Sequence, residues 1–159
     1  MMLRSYIKRK DVKALQGMLD SPLFEGALSP SARVERVRVD QSTEAYLVEG
    51  TPVVFRVKGV FLPALRWLVT REVRRCYVVV DEGAAERILK GAHVMRPGVV
   101  EYDPGIEASK PVAVLMQKSR RAIAVGVSEW SGEEYAERTR GRCVVNMHYA
   151  GDWLWRLEL

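Results

Sequence analysis

One stretch, VVVDEGAAERILKGAHVMRPGVV at residues 78–100, constrains the fold more than any other part of this chain. A valine run halts at an acid, an amphipathic segment follows, and a glycine precedes a second valine-rich run. The pattern predicts a strand, a short capped helix and another strand. Asp81 stands at the N-cap, where its carboxylate can accept the orphan N–H groups of the first turn. Ala85, Ile88 and Leu89 recur at helical spacing and give one narrow buried stripe. Gly91 is placed to end the helix, because glycine enters the left-handed region without steric cost. Arg96-Pro97-Gly98 suits a type II turn. Lys90, Gly91, Ala92, His93, Arg96, Pro97 and Gly98 then share one corner, where a phosphate or ribose can approach backbone, as on an RNA-binding module. The competing reading is that the glycines serve turns alone and the charges are solvated.

Downstream, residues 111–116 and 122–127 are apolar runs of the kind that form well-buried strands. Between them Lys118, Arg120 and Arg121 make a basic hairpin tip, either a contact for RNA or a solvated turn. Ser131 and Glu134 form a capping box for a short helix running to Glu137. In NMHYAGDWLW, from Asn146, a turn at Ala150-Gly151-Asp152 is expected to separate two strands. Trp153 and Trp155 would then lie on one side of an extended chain, as core or as a stacking platform for bases. Core is the commoner outcome for aromatics at that spacing, and His148 reads as a satisfied interior residue.

In the first half, residues 7–19 predict an amphipathic helix with Val12, Leu15 and Leu19 inward, interrupted by Gly17 and ended by Ser21-Pro22. Residues 24–31 read as loop or linker. Strands follow over 36–40, 43–48 and 52–57, the latter two joined at Glu49-Gly50-Thr51. Pro63 suits the first turn of a helix bearing Leu65, Leu68 and Val69. Arg71, Arg74 and Arg75 close that helix, and a domain boundary is expected there, dividing 1–75 from 76–159. Charge divides in the same place. The chain carries a net +5, but residues 1–75 hold 14 Lys and Arg against 8 Asp and Glu, whereas 76–159 hold 11 against 12. If the partner is a polyanion, the first half supplies most of the attraction. The candidate basic surface is Arg36, Arg38, Arg56, Lys58, Arg71, Arg74 and Arg75.

Catalytic chemistry finds no footing. His93 and His148 are far apart, no carboxylate pair or nucleophile motif stands out, and neither glycine-rich nucleotide signature occurs. Cys76 and Cys143 lack ligand spacing with the histidines, so no metal and no cofactor is expected. There is no apolar run of membrane-spanning length and no secretory signal. A cytoplasmic protein with both thiols reduced fits this pattern. The two cysteines could lie on neighbouring strands.

The segments VVVDEGAAERILKGAHVMRPGV, AIAVGVSEWSGEEY and VVNMHYAGDWLW resemble a PUA domain, the small β-barrel module named for pseudouridine synthases and archaeosine transglycosylases. Upstream, EAYLVEGTPVVFRVKGVFLPALRWL is similar to the domain preceding PUA in the malignant T-cell amplified sequence proteins, their archaeal relatives and the N-terminal part of ligatin. The likeness spans about residues 44–157. It implies an α+β chain, with a pre-PUA α+β domain followed by a PUA-type β-barrel with short helices. It places Tyr149 and Trp155 at structural positions. It further implies non-catalytic RNA binding in translation, at the small ribosomal subunit and the tRNA acceptor end, with a SUI-domain protein as partner. On this reading Arg96→Ala should weaken RNA binding and leave the melting temperature nearly unchanged. Two other readings stay open. One is an adaptor docking its protein partner through Phe24, Phe61, Leu62 or Trp130. The other is an RNA-targeting accessory subunit of a modification enzyme.

Overall fold

The computed structural model describes residues 2–159 and contains two sheets. The first is an antiparallel meander of β1 (Leu3–Tyr6), β2 (Val34–Asp40), β3 (Thr43–Val48), β4 (Thr51–Val57) and β5 (Val60–Pro63), in that spatial order. Two of its hairpins, β3–β4 and β4–β5, turn on residues with positive φ, Glu49-Gly50 at 52° and 79° and Lys58-Gly59 at 50° and 81°. Two successive left-handed residues match the twist of the flanking strands, which explains the tight reversal. Along β2, Val34 and Val37 are buried and Val39 half-buried, while Arg36 and Arg38 are exposed.

Helix α1 (Arg9–Met18) buries Val12 and Leu15 and runs through Gly17, whose Cβ position would meet nothing within 4 Å. One element is unforeseen and two local expectations are corrected. LRSY forms β1, an exposed edge strand held by Arg4 on Glu35 rather than by any apolar alternation. Pro63 ends β5 instead of opening a helix, and α2 (Leu65–Leu68) is a single turn after Ala64. Within 24–31, Phe24, Ala27 and Leu28 are buried, so that segment is an irregular part of the core.

The second sheet has the order β7-β11-β10-β9-β6-β8 and curls around its own interior. Its members are β6 (Tyr77–Val80), β7 (Val94–Met95), β8 (Val99–Tyr102), β9 (Pro111–Met116), β10 (Ala122–Ser128) and β11 (Arg142–Tyr149), with α3 (Glu82–Ile88) between β6 and β7. β6 and β9 run parallel; every other pairing is antiparallel. Helix α4 (Gly132–Glu137) begins at the expected Ser131–Glu134 capping box. Where β10 bulges between Val125 and Gly126, a side chain at Gly126 would sit 1.9 Å from the Val145 carbonyl oxygen, so only glycine lets β11 approach.

The apolar runs are continuous because both faces of their strands are covered. Val112 and Val114 of β9 point into the curled sheet, whereas Ala113 and Leu115 join the core of the first half. Val78 and Val80 divide from Val79 in the same way. The first core therefore runs from Val12 across both sheets to Leu154 without a break.

A buried polar latch crosses the same junction. His148, 1% exposed, accepts a hydrogen bond at Nε2 from the Leu65 backbone N–H, at 3.1 Å. Its Nδ1 lies 2.9 Å from Asp152 Oδ2. Since Nε2 accepts, the imidazole proton resides on Nδ1 and is donated to the carboxylate. Asp152 also accepts from the N–H groups of Tyr149 and Trp155, and thereby caps α5 (Trp153–Arg156). The second strand expected after this turn is a helix instead, because the carboxylate satisfies the first-turn donors. Trp153 and Trp155 consequently diverge. Trp153 stays 50% exposed, and Trp155 packs beneath the Arg66 guanidinium, 4.2 Å from its ring centroid. Cys76 precedes β6 and Cys143 lies in β11, with β9 and β10 between those strands, so the thiols are not on neighbouring strands.

Candidate nucleic-acid interface

The corner at 90–93 is ordered from both ends. Asp81 Oδ1 accepts from the Ala84 N–H at 2.8 Å and starts α3. The helix stops with paired bonds, Gly91 N–H to the Ile88 carbonyl and Ala92 N–H to the Arg87 carbonyl, with Gly91 at φ 99°. This is the Schellman arrangement, in which the left-handed residue turns the chain out of the helix. Lys90, Gly91, Ala92 and His93 are all exposed, and Tyr149 lies under Gly91, 3.5 Å from where a Cβ would stand.

From β11, Asn146 fastens this loop. Its Nδ2 donates to the Ile88 and Ala92 carbonyls at 3.1 and 2.9 Å, and its backbone N–H donates to His93 Nδ1 at 3.0 Å. A neutral His93 thus carries its proton on Nε2, free to donate outward. Asn146 Oδ1 is buried without a hydrogen-bond partner among the described residues. Sequence reasoning missed Asn146, and only its place directly after two β-branched strand residues hinted at a special role.

Arg96 does not belong to the exposed corner. Its Nε donates to the Tyr135 carbonyl and its Nη1 to the Val99 carbonyl, both at 3.0 Å, with the guanidinium 5.6 Å from the Tyr102 ring centroid. The side chain is a tie between β8 and α4, so the expectation that Arg96→Ala would spare stability is withdrawn. Arg96–Gly98 is also a 3-10 turn and not a type II turn. Pro97 is exposed, while Gly98 is buried for a different reason than expected: a Cβ there would meet Ala84 Cβ at 2.7 Å.

The basic tip is largely neutralised. Lys118 pairs with Glu82. Arg120 grips Glu101 through both Nη atoms, each at 3.1 Å, and Tyr77 donates to the same carboxylate at 3.1 Å. Those bonds, Arg120's first, hold Glu101 below the ordinary carboxylate range. Only Arg121 of the three is exposed with no ion pair among the described residues. Local spacing cannot reveal such partners, since Glu82 and Glu101 come from α3 and β8.

In the first half, Arg36 lies 3.6 Å from Glu44, Arg74 pairs with Glu72 at 2.9 Å, and Arg71 covers Trp67 at 4.3 Å. Arg56 stands 5.2 Å from the Phe61 ring centroid. Arg38, Lys58 and Arg75 are exposed without an ion pair among the described residues. Arg71, Arg74 and Arg75 line one open cleft of about 700 Å³ with Pro22, Leu23 and Gly26. Of the apolar residues considered for protein docking, Phe24, Leu62 and Trp130 are buried and Phe61 is half-buried. The large exposed apolar side chains are instead Leu3, Tyr6, Met18, Met95, Val100 and Trp153, along with Met2.

Among the described residues no group of three His, Cys, Asp or Glu side chains is arranged to hold a metal ion. No helix among them is long and apolar enough to cross a membrane.

Comparison with known proteins matches residues 76–150 to the PUA domain. The chain is 34% identical over 158 residues to malignant T-cell-amplified sequence 2 of Homo sapiens, covering 96% of this chain and 85% of that protein. It is 27% identical to translation machinery-associated protein 20 of Schizosaccharomyces pombe, over 96% and 86% of the two chains. Its fold is similar to the crystal structure of a hypothetical protein from the hyperthermophilic archaeon Pyrococcus horikoshii, with a TM-score of 0.85, 33% identity and coverage of 97% and 98%.

Proposed function

Since the chain belongs to the malignant T-cell-amplified sequence family of PUA-domain proteins, we propose that it is a non-catalytic RNA-binding protein acting in translation. The observation that carries this reading is the corner at Lys90, Gly91, Ala92 and His93. It is solvent-facing and fastened by the side-chain amide and backbone N–H of Asn146. A surface already in its bound shape avoids the ordering cost that a flexible loop would meet. In this role 76–159 acts as the recognition domain and 1–75 as a basic docking domain. Recognition runs through shape and 2′-hydroxyl contacts at an RNA end or helix junction. Arg121, Arg38, Lys58 and Arg75 supply phosphate attraction directly. Lys118, Arg120, Arg36 and Arg74 can contribute only by exchanging a carboxylate for a phosphate.

The RNA partners on this reading are the small ribosomal subunit and the acceptor end of tRNA, in the cytoplasm, with a SUI-domain protein as protein partner. The name of the Schizosaccharomyces relative is consistent with that setting. The adaptor alternative keeps one supporting observation, the exposure of Met95, Val100 and Trp153. The deciding experiment is binding of purified protein to small subunits, and to tRNA with and without its terminal CCA, across a salt series. Tight subunit binding, preference for the intact end and a steep salt slope are expected. Equal, weak affinity for every RNA would refute the reading and favour the adaptor.

A further inference from the structure

The first sheet's outer face carries a second feature, separate from the corner. Strand register aligns Arg38, Glu44, Arg56 and Phe61 across β2 to β5, and sets Arg36 opposite Tyr46 in the adjoining pair on the same face. Helix α1 covers only part of this face. Between its flank and the sheet remains a cleft of about 380 Å³, walled by Tyr6, Lys8 and Met18 and floored by Arg36, Tyr46, Arg56 and Phe61. That volume lies in the roughly 300–1,000 Å³ range of small-ligand pockets.

Its composition is specific. Tyr46 and Phe61 present rings 6.3 Å apart and tilted by 46°. Tyr6, 58% exposed at the mouth, has Arg33 stacked on it at 4.1 Å. Lys8, Arg36 and Arg56 line the cleft with Asp11 as the one lining carboxylate, and Glu44 beside it pairs with Arg36 at 3.6 Å. The exposed Tyr6 ring and the half-buried Phe61 ring, beside Lys8 and Arg56, which have no ion pair among the described residues, favour a ligand that is flat and aromatic at one end and anionic at the other. An acidic peptide would satisfy the cations and leave the rings unused.

We infer that this cleft binds an unpaired nucleotide of RNA, its base against the Tyr6 and Phe61 rings and its phosphate on Arg56 or Lys8. The inference rests on the RNA-binding reading for the class of ligand, but it places a site in the first half that is independent of the corner. Base stacking tolerates any sequence, since every base has a π-face. The cleft would therefore add affinity for single-stranded RNA while the corner supplies selectivity.

The test is fluorescence anisotropy of the full chain with a labelled oligouridylate of about ten nucleotides, and in parallel with tRNA. Tyr6→Leu should bind the oligouridylate at least about fivefold more weakly than the parent, because it keeps bulk and loses the ring. Tyr6→Phe should bind normally. Arg56→Glu should weaken binding and flatten the salt slope, whereas Lys90→Glu should affect tRNA alone. Thermal melts of each variant exclude unfolding, which the exposure of Tyr6 and Arg56 makes a minor concern. Parent-like oligouridylate binding by both Tyr6→Leu and Arg56→Glu would overturn the cleft and leave the corner standing. Displacement of oligouridylate by polyglutamate at equal charge would overturn it too, assigning the cleft to an acidic protein. If the parent protein bound neither RNA, the RNA-binding reading would fall and the cleft with it.

Discussion

Replacing Asp152 by alanine should be among the most damaging single changes outside the apolar core. The carboxylate, 7% exposed, serves His148 Nδ1, the Tyr149 N–H and the Trp155 N–H together. Losing an N-cap costs about 0.5–2 kcal/mol. The orphaned imidazole N–H and the Tyr149 N–H each add about 1–3 kcal/mol where they stay dry. Partial access of water trims the total, so a loss of about 3–5 kcal/mol is expected. For a chain of this size that lowers Tm by about 6–20 °C. Asp152→Asn keeps one acceptor oxygen and should cost less. Acid gives an independent check. Burial pushes the carboxyl up, but its hydrogen bonds, led by His148, outweigh that and hold it below the ordinary aspartate value. A group with a depressed folded pKa contributes stability above its unfolded pKa and loses that contribution as pH falls through its folded value. The gap between the parent protein and Asp152→Asn should therefore narrow in acid. Urea unfolding at neutral and acidic pH measures both effects. An Asp152→Ala loss below about 1 kcal/mol, or a gap that widens in acid, would refute the assignment of this carboxylate as the latch.

Further outcomes follow from groups near the corner. Arg96→Ala should lower stability by about 1.5–3 kcal/mol through its two carbonyl bonds, and an unchanged urea midpoint would restore the exposed-arginine expectation. Cys143 is raised to about 11, first by burial, and its Sγ donates to the Val94 carbonyl. Its thiol should resist a chromogenic disulfide reagent at mildly alkaline pH until denaturant is added, because the thiolate is the reactive form; rapid modification of both cysteines in the native protein would contradict the burial.

Elements governed by local chemistry were readable in the sequence. The Asp81 cap, the Gly91 stop, the Ser131–Glu134 box and the Glu49-Gly50 turn each depend on residues a few positions apart, and each is present. Failures arose where a distant partner decides the outcome. Arg96, Lys118 and Arg120 look like free cations in sequence, yet their acceptors come from elsewhere in the chain. Trp153 and Trp155 alternate as strand residues would, but the Asp152 cap makes a helix turn there. Gly98 looks like a turn glycine and instead permits close packing on Ala84. The cleft had no local signature, because Tyr6, Tyr46 and Phe61 meet only through strand register.

The unbroken core beneath both sheets, with His148 bridging to Leu65 across it, joins the two sheets in one packed body. The corner and the cleft are consequently like two marks on one gauge. If both sites bind as proposed, an RNA able to reach both marks gains a second contact at little further entropic cost, and one of the wrong span gains none. Discrimination among RNAs would then fall to the spacing of their features, a property written into the packing and absent from every individual contact.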